Sequence, residues 1–233
     1  MTDTAPHTLP SSASLASGVG DVIRGFSDCL DRAALKTTPF RHWLLTDALP
    51  DDVAHAIPAL PLAPPEIGDT LGKRETHNST RNFFSAENRV RFPVCDAVAS
   101  AFQSEQTVRH LERVTGISLA GSSLRIEYCQ DRDGFWLEPH TDIGVKLFTM
   151  LVYLSETPDA EGWGTDIYDA SKRHLGSAPG GFDKGVIFIP ADDTWHGVAK
   201  RSYSGVRKSI IINYVKPEWR ARHELAFPDQ PIA

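Results

Sequence analysis

The sequence predicts an α+β protein in which helices come first and pack on one face of a two-sheet jelly roll. Three observations predict it. Apolar residues ahead of residue 120 recur at helical spacing. Beyond residue 120, short β-forming runs follow one another, separated by Gly, Pro and Asp. A chain of 233 residues, 41% of them hydrophobic, can bury one sizeable core and needs no second domain.

From Asp21 to Leu35 the positions Val22, Ile23, Phe26, Leu30, Ala33 and Ala34 repeat at the period of an amphipathic helix. PFRHWLLTDALP then predicts a short strand. Asp51 and Asp52 open a second helix that the proline-rich stretch Pro58 to Pro65 ends. Gly68 to Arg91 is polar and irregular, carries Lys73, Arg74, Arg81 and Arg89, and is expected to be a loop over one mouth of the domain. A third helix is expected from Pro93 to Val114, stopping near Gly116. The runs SLRIEYC, KLFTMLVYL, TDIYDA, GVIFIP, HGVAK and RKSIIINYV supply the strands. Helices preceding strands in this way place them on one sheet of a jelly roll. The segments expected are a mobile tail (1–20), a helical part (21–118), a jelly-roll core (119–216) and a C-terminal extension (217–233).

A net charge of -6 and a pI near 5.8 leave no basic stripe for phosphates, so a nucleic-acid partner is not expected. The longest apolar run, Leu147 to Leu154, is strand-sized, and the N-terminus lacks the basic and apolar regions of a secretory signal. Three cysteines, Cys29, Cys95 and Cys129, are odd in number and far apart, which argues against a disulfide framework or a zinc cluster. These features predict a soluble cytoplasmic protein without a membrane partner. They leave the oligomeric state open.

His140-Thr141-Asp142 places two metal-ligating side chains on one side of an extended segment, because residues i and i+2 share a face. Alone the pair means little, since composition supplies about one such pair by chance. Context adds His196, just after the apolar run GVIFIP, and Arg207, at the start of RKSIIINYV. The order matches a facial triad of two histidines and one carboxylate, which leaves three positions of an octahedral metal open. Two of these suit the oxygens of 2-oxoglutarate and one suits O2, while a planar guanidinium suits the distal carboxylate. Ser209, two residues beyond Arg207, points the same way.

LEPHTD, MLVYLSE with GWGTDIYD, GVIFIP, and TWHGV with GVRKSIIINYV cover about residues 123 to 215. Over this span the chain resembles the Fe(II)/2-oxoglutarate-dependent oxygenase superfamily and its prolyl-4-hydroxylase-like branch. The resemblance implies a double-stranded β-helix with His140, Asp142 and His196 on iron and Arg207 and Ser209 on 2-oxoglutarate. It also implies a dioxygenase that hydroxylates an unactivated C–H bond and releases succinate and CO2, with ascorbate as an available reductant. Leu137 stands where prolyl hydroxylases commonly have a co-substrate tyrosine. Tyr128 is the substitute considered, against a plain barrel-wall aromatic, and Thr149 is expected beside the cofactor or as an ordinary strand residue. For a small polar or peptidyl substrate, the residues singled out are Asn78 and Arg81 of the polar loop and Trp195 beside His196. Two alternatives stand: a non-redox, cupin-like metal-binding jelly roll, and a nucleic-acid dealkylase. The dealkylases resemble a pattern with a second arginine six residues after the first, where this chain has Asn213.

Overall fold

The computed structural model describes residues 15–65, 71–73, 81–142 and 144–233. Helix α1 (Val19–Asp31) forms because Val22, Phe26, Cys29 and Leu30 stack into one buried stripe. The expected helix through Leu35 overshoots. Arg32 ends α1, and Ala34–Lys36 is an exposed strand, β1, paired with β2 (His42–Thr46). Ala34 and Leu35 have no core to face, so pairing with a neighbouring strand wins over helical propensity. The expected tail through residue 20 is also too long. The amides of Ala16 and Ser17 donate to Asp52 Oδ2 (3.0 and 2.8 Å) at the start of α2 (Asp51–Ala56).

The described end of the polar loop holds structure as well. Asn82–Phe83 is strand β3, and Ser85, accepting from the Asn88 amide, opens α3 (Ala86–Arg91). The expected third helix is two, α4 (Pro93–Gln103) and α5 (Glu105–Thr115). Ser104 separates them in extended conformation: its hydroxyl donates to Ala101 O (2.7 Å) and accepts from the Thr107 amide (3.3 Å). Serine stabilises a helix start better than a helix interior, so the periodic pattern runs on while the axis breaks.

Eight further strands follow: β4 (Ser123–Asp131), β5 (Leu137–His140), β6 (Lys146–Tyr153), β7 (Asp166–Tyr168), β8 (His174–Ser177), β9 (Lys184–Phe188), β10 (His196–Val198) and β11 (Arg207–Val215). They form a seven-stranded sheet of order β1-β2-β9-β6-β11-β4-β3 and a four-stranded sheet of order β5-β10-β7-β8. Every strand pairing among the described residues is antiparallel. From β4 to β11 the chain passes back and forth between the sheets, which is the wiring of a double-stranded β-helix. β1, β2 and β3 widen the large sheet, so the segment expected to be helical also supplies strands.

Strand alternation divides the large sheet into two unlike faces. Leu124, Ile126, Tyr128, Met150, Val152, Ile210 and Ile212 point to the helices and make the main core. Leu151, Tyr153, Val186 and Phe188 point the other way, against Ile167 of β7, and fill one end of the space between the sheets. The other end is lined by polar and charged residues. The C-terminal segment closes along β4, where Ala226 N donates to Leu124 O (3.0 Å) and Ile232 N to Ser122 O (2.8 Å).

Candidate active site

β10 and β5 pair with His196 directly opposite His140, so both imidazoles leave the small sheet on its inner face, ring centroids 4.4 Å apart. Gly197 permits this closeness. A Cβ there would lie 2.9 Å from Leu137 O and 3.2 Å from Glu138 O. His140 Nδ1 lies 2.9 Å from Glu138 O, and His196 Nδ1 lies 2.9 Å from Thr194 O. A carbonyl can only accept, so each Nδ1 carries a proton and leaves Nε2 as the atom that a neutral ring would offer to a metal. Asp142, two residues beyond His140, faces both: its carboxylate oxygens lie 3.9 Å from His140 Nε2 and 3.7 Å from His196 Nε2. These gaps exceed a hydrogen bond and suit a shared cation. Among the described residues this is the one cluster of three such ligands, with all ligating atoms within 4.8 Å of one another.

The carboxylate is held from both sides. Lys146 Nζ donates to Oδ1 (2.8 Å) and Thr149 Oγ1 donates to Oδ2 (3.2 Å). Thr149 in turn accepts from Asn213 Nδ2 (3.0 Å), and Asn213 Oδ1 accepts from Arg125 Nη1 (3.1 Å). Burial alone would raise the Asp142 carboxyl, but Lys146, with help from the two histidines, holds it well below the usual carboxylate range. Burial pushes His196 down to about 4, against the pull of Asp142. At neutral pH the site therefore offers an anionic carboxylate and a neutral His196.

A cavity of about 440 Å³ opens onto this cluster. Arg207 lines it at the far end of β11, donating through Nη1 to Asp131 Oδ2 and through Nε to Trp163 O (2.6 Å each). Ser209 shares its face, and the Ser209 hydroxyl is buried with no hydrogen-bond partner among the described residues. Tyr203 Oη is another such buried, unpartnered hydroxyl, and the charge of Arg207 acts on it. Tyr128 does not reach the cavity. Opposite Ile210 in register, it belongs to the helix-facing core, because its place in β4 has the wrong parity for the lumen.

Arg81 lines the cavity and grips Glu127 through Nε (2.9 Å) and Nη2 (2.5 Å). Asn78 lies outside the described residues. Trp195 turns away: its neighbour His196 points inward, and the Trp195 ring meets Lys172 Nζ at 4.5 Å instead. The tryptophan of the cavity is Trp219, beyond the last strand, whose indole N–H is buried without a partner among the described residues. With Arg125 and Glu127 it forms a polar wall. No motif announced these three, although charged residues at alternate positions of an otherwise apolar strand, Arg125 and Glu127 in β4, are a signal that could have found two of them.

No family model and no curated protein matches the chain. Solved structures do. A Pseudomonas putida prolyl-4-hydroxylase superposes with a TM-score of 0.53 at 15% identity, over 83% of this chain and 94% of that one. A Phytophthora capsici prolyl 4-hydroxylase gives 0.56 at 14%, over 92% and 70%. A Trichoplax adhaerens prolyl hydroxylase, in complex with a hypoxia-inducible-factor peptide fragment, gives 0.52 at 12%, over 87% and 93%. The chain has the prolyl-hydroxylase fold. A Burkholderia pseudomallei protein of the 2-oxoglutarate-Fe(II) oxygenase family has it too, at a TM-score of 0.50 and 13% identity. Within that fold, this chain brings a His-Asp-His cluster to the inner face of the small sheet.

Proposed function

We propose that this chain is an Fe(II)- and 2-oxoglutarate-dependent dioxygenase that hydroxylates an unactivated C–H bond of a small polar or peptidyl substrate. One observation carries the reading: two imidazole Nε2 atoms, each ring oriented through Nδ1 by a backbone carbonyl, face one carboxylate across gaps of 3.7 and 3.9 Å, too long for hydrogen bonds. His140, Asp142 and His196 would hold the iron, each histidine locked in the ligating tautomer by a backbone carbonyl. Bound there, ferrous iron and 2-oxoglutarate supply the O2-dependent oxidation, with succinate and CO2 as by-products.

The protein's own part is to orient and to exclude water. Lys146 and Thr149 orient the carboxylate ligand. Arg207 would take the distal carboxylate of 2-oxoglutarate, helped by the Ser209 hydroxyl, whose lack of a partner supports a ligand oxygen there. The wall of Arg81, Glu127, Arg125 and Trp219 would meet the substrate, and its donors and acceptors favour a polar molecule over a hydrocarbon chain. The peptide held by the Trichoplax protein supports keeping peptidyl substrates in view.

Anaerobic addition of Fe(II) and 2-oxoglutarate should produce a weak visible charge-transfer band, and His196→Ala should abolish it. Arg207→Ala should raise the 2-oxoglutarate requirement by about two orders of magnitude or more. Because that variant removes the guanidinium that Asp131 meets at 2.6 Å, it is best measured beside Arg207→Ala/Asp131→Asn. A wild-type protein with neither band nor calorimetric affinity for 2-oxoglutarate would overturn the assignment. The Asp131 carboxylate that already meets Arg207 favours a second reading, a non-redox metal-binding jelly roll. It predicts metal binding without the band and without succinate.

A further inference from the structure

Lys146 occupies an unusual place for a metal site. It opens β6 four residues after Asp142, beyond the turn at Gly144, and lays its ammonium 2.8 Å from a carboxylate oxygen that faces His140. The Asp142 side chain is 9% exposed and that of Lys146 24%, so water screens this pair only in part. A divalent cation bound by the cluster would share Asp142 with the ammonium, two like charges within a few ångströms.

The other buried charges of the lumen pair among themselves: Arg207 with Asp131, Arg125 with Glu224, Arg81 with Glu127. Among the described residues of the cluster, the charges of Asp142 and Lys146 cancel across 2.8 Å. Adding a divalent cation alone leaves two uncompensated positive charges at a site that water screens only in part. Adding the cation together with a dianion restores neutrality. Charge left uncompensated in such a place is costly, so the cation and the dianion should each favour the other.

We propose that Lys146 is an electrostatic placeholder: it disfavours a divalent cation bound alone and makes stable occupancy depend on a dicarboxylate 2-oxo acid bound with it. This inference rests on the proposed function, since it takes the same cluster as the metal site. Without the lysine the balance changes sign. The cluster then carries one negative charge, the cation alone leaves one positive charge, and the cation with its dianion leaves one negative charge. Lys146 is thus a positioning and selecting residue, which touches the carboxylate ligand and acts through it.

The test uses Mn(II), a redox-inert cation, titrated calorimetrically into the full chain with and without saturating 2-oxoglutarate. Lys146→Met and Lys146→Gln should bind Mn(II) alone about tenfold tighter than wild type or more. The factor by which 2-oxoglutarate tightens Mn(II) should be smaller in both by about tenfold. Lys146→Arg keeps the charge and should restore the wild-type pattern, which a purely steric or packing role would not predict. Thermal melts of the metal-free variants establish that they are folded. Equal Mn(II) affinity in wild type and both neutral variants, or an unchanged tightening factor, would overturn the placeholder role while leaving the metal site in place. Failure of the wild type to bind Mn(II) under either condition would overturn the proposed function itself, and this inference with it.

Discussion

At the scale of single residues, the site depends on the closeness of two strands, and Gly197 sets that closeness. Alanine there would press on Leu137 O and Glu138 O, and Glu138 O is also the acceptor that orients His140. Gly197→Ala should therefore leave a folded protein whose Mn(II) affinity is about tenfold lower, in line with disturbance of groups that orient metal ligands. Calorimetric titration beside a circular dichroism melt checks it, and unchanged affinity would show that the strands part without moving the histidines. At this scale His140 and Asp142 were legible because a strand repeats every two residues. Tyr128 and Trp195 stayed open for the same reason: one step of parity sends a side chain to the opposite face, and a motif alone does not say which residue begins the count.

Among the elements, the β9 start carries a buried acid that ties the sheet to the helices. Asp183 has a positive φ of 54°, and its carboxylate accepts from the Leu49 amide (3.2 Å) at the head of α2. Burial pushes its pKa up to about 7; the Leu49 amide opposes this, and Asp47 adds to it. The folded state then holds a proton that the unfolded chain releases near pH 4, so this contribution is fully present at low pH and is lost as pH rises through about 7. Asp183→Asn keeps the acceptor and tolerates the left-handed backbone, so it should flatten that loss. The advantage over wild type should be near zero below about pH 4 and grow by on the order of 2 kcal/mol between pH 5 and pH 8, read from thermal melts. A constant difference across that range would locate the pH dependence elsewhere. Element existence was largely legible, whereas the break at Ser104, helix α3 and the edge strands β1, β3 and β8 were not. Ser104 interrupts no periodicity, and exposed edge strands carry none.

For the molecule as a whole, the C-terminal segment completes the lumen. Glu224 reaches Arg125 Nε at 2.6 Å, and Arg125, 1% exposed, holds Asn213, which holds Thr149 and through it Asp142. Glu224→Gln keeps a hydrogen-bond acceptor but leaves a buried guanidinium short of charge. It should lower unfolding stability by about 1 to 3 kcal/mol in urea titrations. It should also weaken Mn(II) binding, because the chain of hydrogen bonds ends on Asp142, the carboxylate proposed to hold the metal. Loss of stability without any change in Mn(II) affinity would mean that Asn213 and Thr149 keep their places without Arg125.

Chain chemistry alone carried the fold class, the His-Asp-His residues that the fold brings together and the arginine that begins the last strand. These follow from local periodicity and from the few residue types that bind a metal or a carboxylate. Only the tertiary structure decided what surrounds them. That Lys146 meets Asp142, that Asp131 meets Arg207, and that Trp219 rather than Trp195 walls the cavity depend on register and on contacts between residues as far as 76 positions apart. The physical reason is that one sequence pattern fixes which side of a strand is apolar, while the partner of each buried charge is set by how the sheets close on one another.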